Sequence, residues 1–328
     1  MKAIVAGWFS YGSGHATGGD LLARDVLCEW LTELGVDHVT AYAPPFAGGP
    51  SLDELDPAEF THAFLVCGPF GRGPLEADFL GRFAHCRLIG LNLSLDLPPE
   101  HWQPFDLLIE RDSSRAVNPD MVFASRNALA PVVGVCLVEE HPEADVAAAD
   151  RAIGALLDRH QAARVPIDTR LDVNGTGLRS KGEIEALLAR MDVVVTTRLH
   201  GLVLALKNGV PVVAVDAVRG CGKISRQCAR IGWQNLLGLD ELDDQRLDRA
   251  LEFALSEDAR VLARRCGERA ALDVDSIRLE LADNLAGRGE LERNFAGRQT
   301  EQGKAAFRAS LPSTRTGWPA RLRRLLRL

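Results

Sequence analysis

Several marks of common protein classes are missing from this sequence. Its seven cysteines include no CxxC pair, and no His/Cys cluster has zinc spacing. Neither a dithiol redox motif nor a metal site is therefore expected. The cysteine count is odd and most of them sit in apolar runs, which reads as small buried hydrophobes in a reducing compartment. No apolar stretch reaches the roughly 18 residues that a bilayer span needs. The opening MKAIVAGWF passes straight into a strand pattern without a cleavage region, so the body is read as cytoplasmic. Gly12-x-Gly14 followed by Gly18 misses the GxGxxG spacing, which leaves a dinucleotide fingerprint poorly supported. No repeat at a solenoid period occurs.

The end of the sequence has no acidic residues at all. After Glu301 there are none, while Lys304, Arg308, Arg315, Arg321, Arg323, Arg324 and Arg327 follow. The chain carries 38 basic and 45 acidic residues, so residues 1–301 hold 31 against 45, a balance of −14. That acidic body argues against a nucleic-acid binder. An anionic substrate would need local cations to hold it against such a field.

What is present suits a two-domain α/β protein. The 328 residues are 46% hydrophobic and 25% charged, enough for two cores at about 150 residues each. Strand-like runs at Ala3–Phe9, 39–42, 63–67, 88–93 and 107–109 alternate with amphipathic segments. The first of these segments runs from Leu21 to Leu34 and stops at Gly35. A second series starts at Pro131. Its strands are expected at 132–138, 164–167, 193–196 and 212–215, and its helices at 144–160, 181–190, 199–208, 224–231, 244–255 and about 258–286. The alternation implies largely parallel sheets with crossover helices. The expected divisions are an amino-terminal Rossmann-like domain at 1–128, a second at 129–287 and a basic tail at 288–328. Within that tail Trp318–Leu328 sets leucines among arginines, the pattern of a short amphipathic helix on a membrane or a partner, or of a solvated tail. Asn174-Gly-Thr is read as a turn, and Asp273-Val-Asp275 as a helix cap.

The chemistry concentrates in Asp192–Trp233. A buried strand ends at Thr196-Thr197, and a helix starts near Leu199, so Arg198 and His200 fall at its first turn. Carboxyl ends of parallel strands are where open α/β sheets bind ligands, and a helix amino terminus there presents free N–H groups to an anion. The fork of Arg198 matches phosphate or carboxylate, and His200 can move a proton. Lys223, at the next strand-to-helix junction, can complete a phosphate cradle. Each also has a plain reading, as a satisfied polar residue or a surface lysine. Arg111, Asp112 and Ser114 follow another strand, with a helix cap and a surface pair as the plain alternative. Asp20 either orients a hydroxyl or places a charge at a helix start, and His15 lies in the glycine-rich loop before it.

These segments together resemble the polysaccharide pyruvyl transferases. The signature is Thr197-Arg-Leu-His-Gly, then Gly209-Val-Pro-Val-Val, then Lys223 ahead of Gly232-Trp. Leu107-Leu-Ile-Glu-Arg-Asp-Ser-Ser-Arg with Pro119-Asp120, and Gly18-Gly19-Asp20, agree in order over about residues 1–240. His15-Ala-Thr-Gly-Gly-Asp stands where the family has Asn-x-Gly-Asp, and Asp216 where it often has Tyr. The resemblance implies two Rossmann-like domains facing across a cleft (GT-B-like), with a C-terminal helical region. It implies transfer of pyruvate from phosphoenolpyruvate to a saccharide, as a ketal, in bacterial cell-envelope glycan synthesis. His200 and Arg198 would be catalytic, and Lys223, Arg111, Ser114, His15, Asp20 and Gly19 would bind substrate. No cofactor or metal is called for beyond the donor. The acceptor can be lipid-linked, which would bring the cytoplasmic chain to the inner face of the membrane through its tail. A nucleotide-sugar glycosyltransferase and a non-catalytic sugar or phosphate binder stay open beside this reading.

Overall fold

The computed structural model describes residues 1–12, 15–71, 73–99, 104–138, 145–218 and 222–285. The basic tail, the rest of the Gly12–Gly14 motif and residues 219–221 lie outside the described residues. The chain divides into two compact units, Met1–Leu129 and Ala130–Leu328.

The first unit holds β1 (Lys2–Ala6), α1 (Gly18–Glu33), β2 (Asp37–Thr40), β3 (His62–Val66), β4 (Pro69–Phe70), α2 (Pro74–Arg82), β5 (Arg87–Leu95) and β6 (Leu107–Asp112). The strands form one parallel sheet in the order β2-β1-β3-β5-β4, with β6 also on β5. The expected first strand is too long by three residues. It stops at Ala6 because the Gly7 amide donates to the Ser10 hydroxyl (3.2 Å), which turns Trp8–Ser10 into a 3-10 turn. Ser10 in turn donates to Ala41 O at 2.6 Å. Helix α1 opens on a reciprocal cap in which the Thr17 amide and hydroxyl both donate to the Asp20 carboxylate (2.7 and 2.8 Å).

The second unit holds β7 (Val132–Cys136), α3 (Val146–Arg159), β8 (Ala163–Pro166), α4 (Lys181–Leu188), β9 (Val193–Thr196), α5 (Leu199–Lys207), β10 (Val212–Asp216), α6 (Lys223–Ile231), β11 (Leu236–Gly238), α7 (Asp244–Ala254) and α8 (Glu257–Leu285). Its strands run parallel in the order β11-β10-β9-β7-β8. Every residue of β9 and β10 is buried, as expected of strands covered on both faces. One face packs Val194, Val212 and Ala214 with α4, α5, α6 and α8. The other packs Val193, Val195, Val213 and Val215 with α3 and α7. Both domains are thus Rossmann-like, parallel sheets with helical crossovers.

Asp273 and Asp275 do not cap a helix. Both lie within α8, where Asp273 pairs with Arg230 of α6 (3.0 Å) and Asp275 with Arg278 one turn on (2.7 Å). Both positions are interior to the helix, away from the end where a cap acts. Among the described residues no helix is long and apolar enough to cross a membrane.

Candidate functional site

Two neighbouring strand-to-helix junctions build the site, at the carboxyl edge of the second sheet. At the first, the Thr196 hydroxyl accepts from the Arg198 amide (2.9 Å) and reaches Cys136 O (2.7 Å). Thr197 Oγ1 accepts from the Val138 amide at 2.7 Å. These bonds fix the turn into α5. Helix α5 sits directly on the strand end because residue 201 is glycine: a Cβ there would fall on Thr196 Oγ1 and lie 3.0 Å from Cys136 Sγ. Arg198, the N-cap, supplies no side-chain bond to the helix, so the first amides of α5 remain for water or a ligand.

At the second junction the strand ends in Asp216, which is 3% exposed. Its carboxylate accepts from the amides of Gly222 and Ser225 (both 3.0 Å) and from Val218 (3.3 Å), and the Ser225 hydroxyl donates to it as well. One buried carboxylate therefore ties the end of β10 to the start of α6. Residue 222 has to be glycine, because a Cβ would fall on Asp216 Oδ1. The tie sets the position of Lys223, the first residue of α6.

Between the junctions lies a cavity of about 470 Å³, within the 300–1,000 Å³ usual for ligand pockets. Arg198, His200, Lys223 and Arg226 line it, with Thr169, Thr197 and Asp216. Arg198 is largely committed. Its Nε donates to Leu137 O, and Nη2 lies 3.7 Å from Asp168 Oδ1. Burial works to raise the Asp168 carboxyl. The bonds from the Arg170 side chain and from the amides of Arg170 and Gly175, with the charge of Arg198, outweigh it and hold the carboxyl below its ordinary range. Lys223, Arg226 and His200 are exposed, and no side-chain hydrogen bond or ion pair joins them to the described residues. The cavity thus faces two uncommitted cations, an imidazole, a fixed guanidinium and the amino terminus of α5. Its acid, Asp216, is spent on amides. An anion with more than one charged group fits this arrangement.

The sequence-derived residues thus fall into two groups. Arg198, His200 and Lys223 share the cavity; the others belong to the first unit. Arg111 is engaged by its neighbours. It pairs with Asp112 and Asp120 (both 2.9 Å), donates to Ser94 Oγ, and lies 3.7 Å from Cys67 Sγ. Asp112 ends a strand rather than capping a helix. Cys67 holds a left-handed φ of 59°, and burial, then Asp20 and Asp120, push its thiol up to about 11. Asp20 and Arg111 are thereby gathered around Cys67, while Asp20 also caps α1. Gly19 is in the first turn of α1, and His15 and Ser114 are exposed. Sequence reasoning missed Arg226, whose signal was its place one turn beyond Lys223. It noted Asp216 only as a departure and gave Thr169 no role.

Residues 182–217 match the family model described as polysaccharide pyruvyl transferase. That stretch runs from α4 through β9 and α5 to just past β10, and so includes Arg198, His200 and Asp216 but not Lys223. No curated protein matches the chain in sequence. Among solved structures, the chain is similar to the glycotransferase of kitacinnamycin at 12% identity and a TM-score of 0.30, over 81% of this chain and 92% of that one. It is similar to WaaG, a glycosyltransferase involved in lipopolysaccharide biosynthesis, at 11% and 0.34, over 88% and 100%. It is likewise similar to UDP-GlcNAc 2-epimerase from Methanocaldococcus jannaschii, at 10% and 0.30, over 84% and 100%.

Proposed function

We propose that the protein transfers pyruvate from phosphoenolpyruvate to a saccharide, closing a ketal across two hydroxyls. The observation that supports this most is the cavity lined by Arg198, His200, Lys223 and Arg226, inside or beside the segment that matches the family model. Phosphoenolpyruvate carries a phosphate and a carboxylate, and the cavity offers separate cations for each. Lys223 and Arg226 take the phosphate. Arg198 and the first amides of α5 take the carboxylate. Protonation of the donor's methylene carbon makes C2 electrophilic. A sugar hydroxyl attacks C2, phosphate leaves, and a second hydroxyl closes the ring. His200 is the group placed to give or take the proton.

A nucleotide-sugar donor is the second reading, supported by the size and apolar walls of the cavity. Val138, Leu199, Ala217, Val218 and Ile224 leave room for more than three carbons. Thermal protection separates the two, because a ligand at 100 times its Kd adds about 2.7 kcal/mol to the folded state. Phosphoenolpyruvate is expected to raise the melting temperature and UDP-sugars to leave it unchanged; the reverse pattern makes the protein a glycosyltransferase. Release of phosphate with mixed glycans distinguishes an enzyme from a binder.

A further inference from the structure

Among the described residues nothing covers an apolar stripe on helix α8. Its amino-terminal half is packed, with Ala259, Ala263 and Cys266 buried in the core against α5 and α6. The same helix face continues through Ala270, Val274, Ile277, Leu281 and Leu285, at steps of three and four residues. Val274, Ile277, Leu281 and Leu285 are 62%, 62%, 58% and 80% exposed. From Ala270 to Leu285 the stripe is roughly 22 Å long at 1.5 Å per residue. A soluble protein seldom exposes such a row without a partner.

Charge selects the occupant. Residues 270–285 carry Asp273, Asp275, Glu280 and Asp283 against Arg278, a balance of −3. Two copies of the helix laid together would set one acidic stretch against another. An anionic membrane surface would be repelled in the same way. The last eleven residues of the chain have the opposite character. Trp318, Leu322, Leu325 and Leu326 recur at helical spacing, with Arg321, Arg323, Arg324 and Arg327 and no acidic side chain. Residues 286–317, 32 in number, connect the two. At about 3.3 Å per residue they reach up to roughly 100 Å when extended, so a return to the stripe requires only a fraction of their length.

We propose that the α8 stripe is the docking surface for the chain's own carboxyl-terminal stretch, Trp318–Leu328. The leucines cover Val274, Ile277 and Leu281, and the arginines meet the acidic groups of the same helix segment. The tail then screens an apolar face that would otherwise stand in water.

A benzophenone amino acid placed at Ile277 of the full chain tests this, since that position is exposed and outside the packed half of α8. The expected product on irradiation is a cross-link within one chain to a peptide from 318–328. Asp275→Arg, Glu280→Arg and Asp283→Arg together should lower its yield at least tenfold. Adding Arg321→Glu, Arg323→Glu and Arg324→Glu should restore it. Absence of any product in 318–328, a product joining two chains, or a yield that ignores the charge reversal would each overturn the proposal.

Discussion

His200 is exposed, lines the cavity and has no partner among the described residues. A side chain in that condition contributes little to folding, so its replacement separates chemistry from stability. His200→Ala is expected to lower turnover about 10²–10⁴-fold, the usual yield of a positioned proton donor, with phosphoenolpyruvate affinity retained. Steady-state phosphate release and a donor titration measure the two, and full activity in the variant would remove His200 from the mechanism. Asp168 behaves oppositely. Its carboxyl is held below the ordinary value, so the folded state favours the charged form. That stability is fully present above the ordinary carboxylate pKa of about 3.9, and is lost as pH falls through the lower, folded value. Asp168→Asn should therefore be less stable than the parent at pH 7, and the gap should narrow below about pH 4. Urea midpoints at the two pH values check it.

The elements show what was legible in the sequence and what was not. The segment 193–216 was readable almost to the residue, because continuous apolar strands bracket a short helix and the Asn208-Gly209 pair ends it. The turn Trp8–Ser10 was not, because a hydroxyl bond that interrupts a strand leaves no mark on its apolar pattern. Nor were β4, two residues long, or β11, three long, as neither is long enough to show a period. The role of Asp216 was hidden for another reason: its partners lie up to nine residues on, and only the folded junction brings them to one carboxylate. That junction also yields a prediction. Gly222→Ala must displace a buried carboxylate that holds three amides and a hydroxyl. Leaving such groups unsatisfied costs about 1–3 kcal/mol. The variant should lose that much stability in chemical denaturation, and should bind the donor more weakly because Lys223 moves with α6. An unchanged midpoint and affinity would show that Asp216 fastens nothing of consequence.

For the whole molecule, the question is how an acidic protein could hold the proposed anionic donor. The body up to residue 301 carries −14, from 31 basic and 45 acidic groups, yet the cavity gathers Arg198, Lys223 and Arg226. Hydrogen bonds to charged groups are each worth about 1.5–3 kcal/mol. Lys223→Ala and Arg226→Ala should each raise the donor Kd by about 10- to 100-fold, read by calorimetric titration at constant salt. The most direct measurement is a crystal structure with phosphoenolpyruvate soaked in. Its phosphate is predicted within about 2.7–3.2 Å of the Lys223 and Arg226 side chains, with its carboxylate toward Arg198. Phosphoenolpyruvate bound elsewhere while this cavity stays empty would contradict the account.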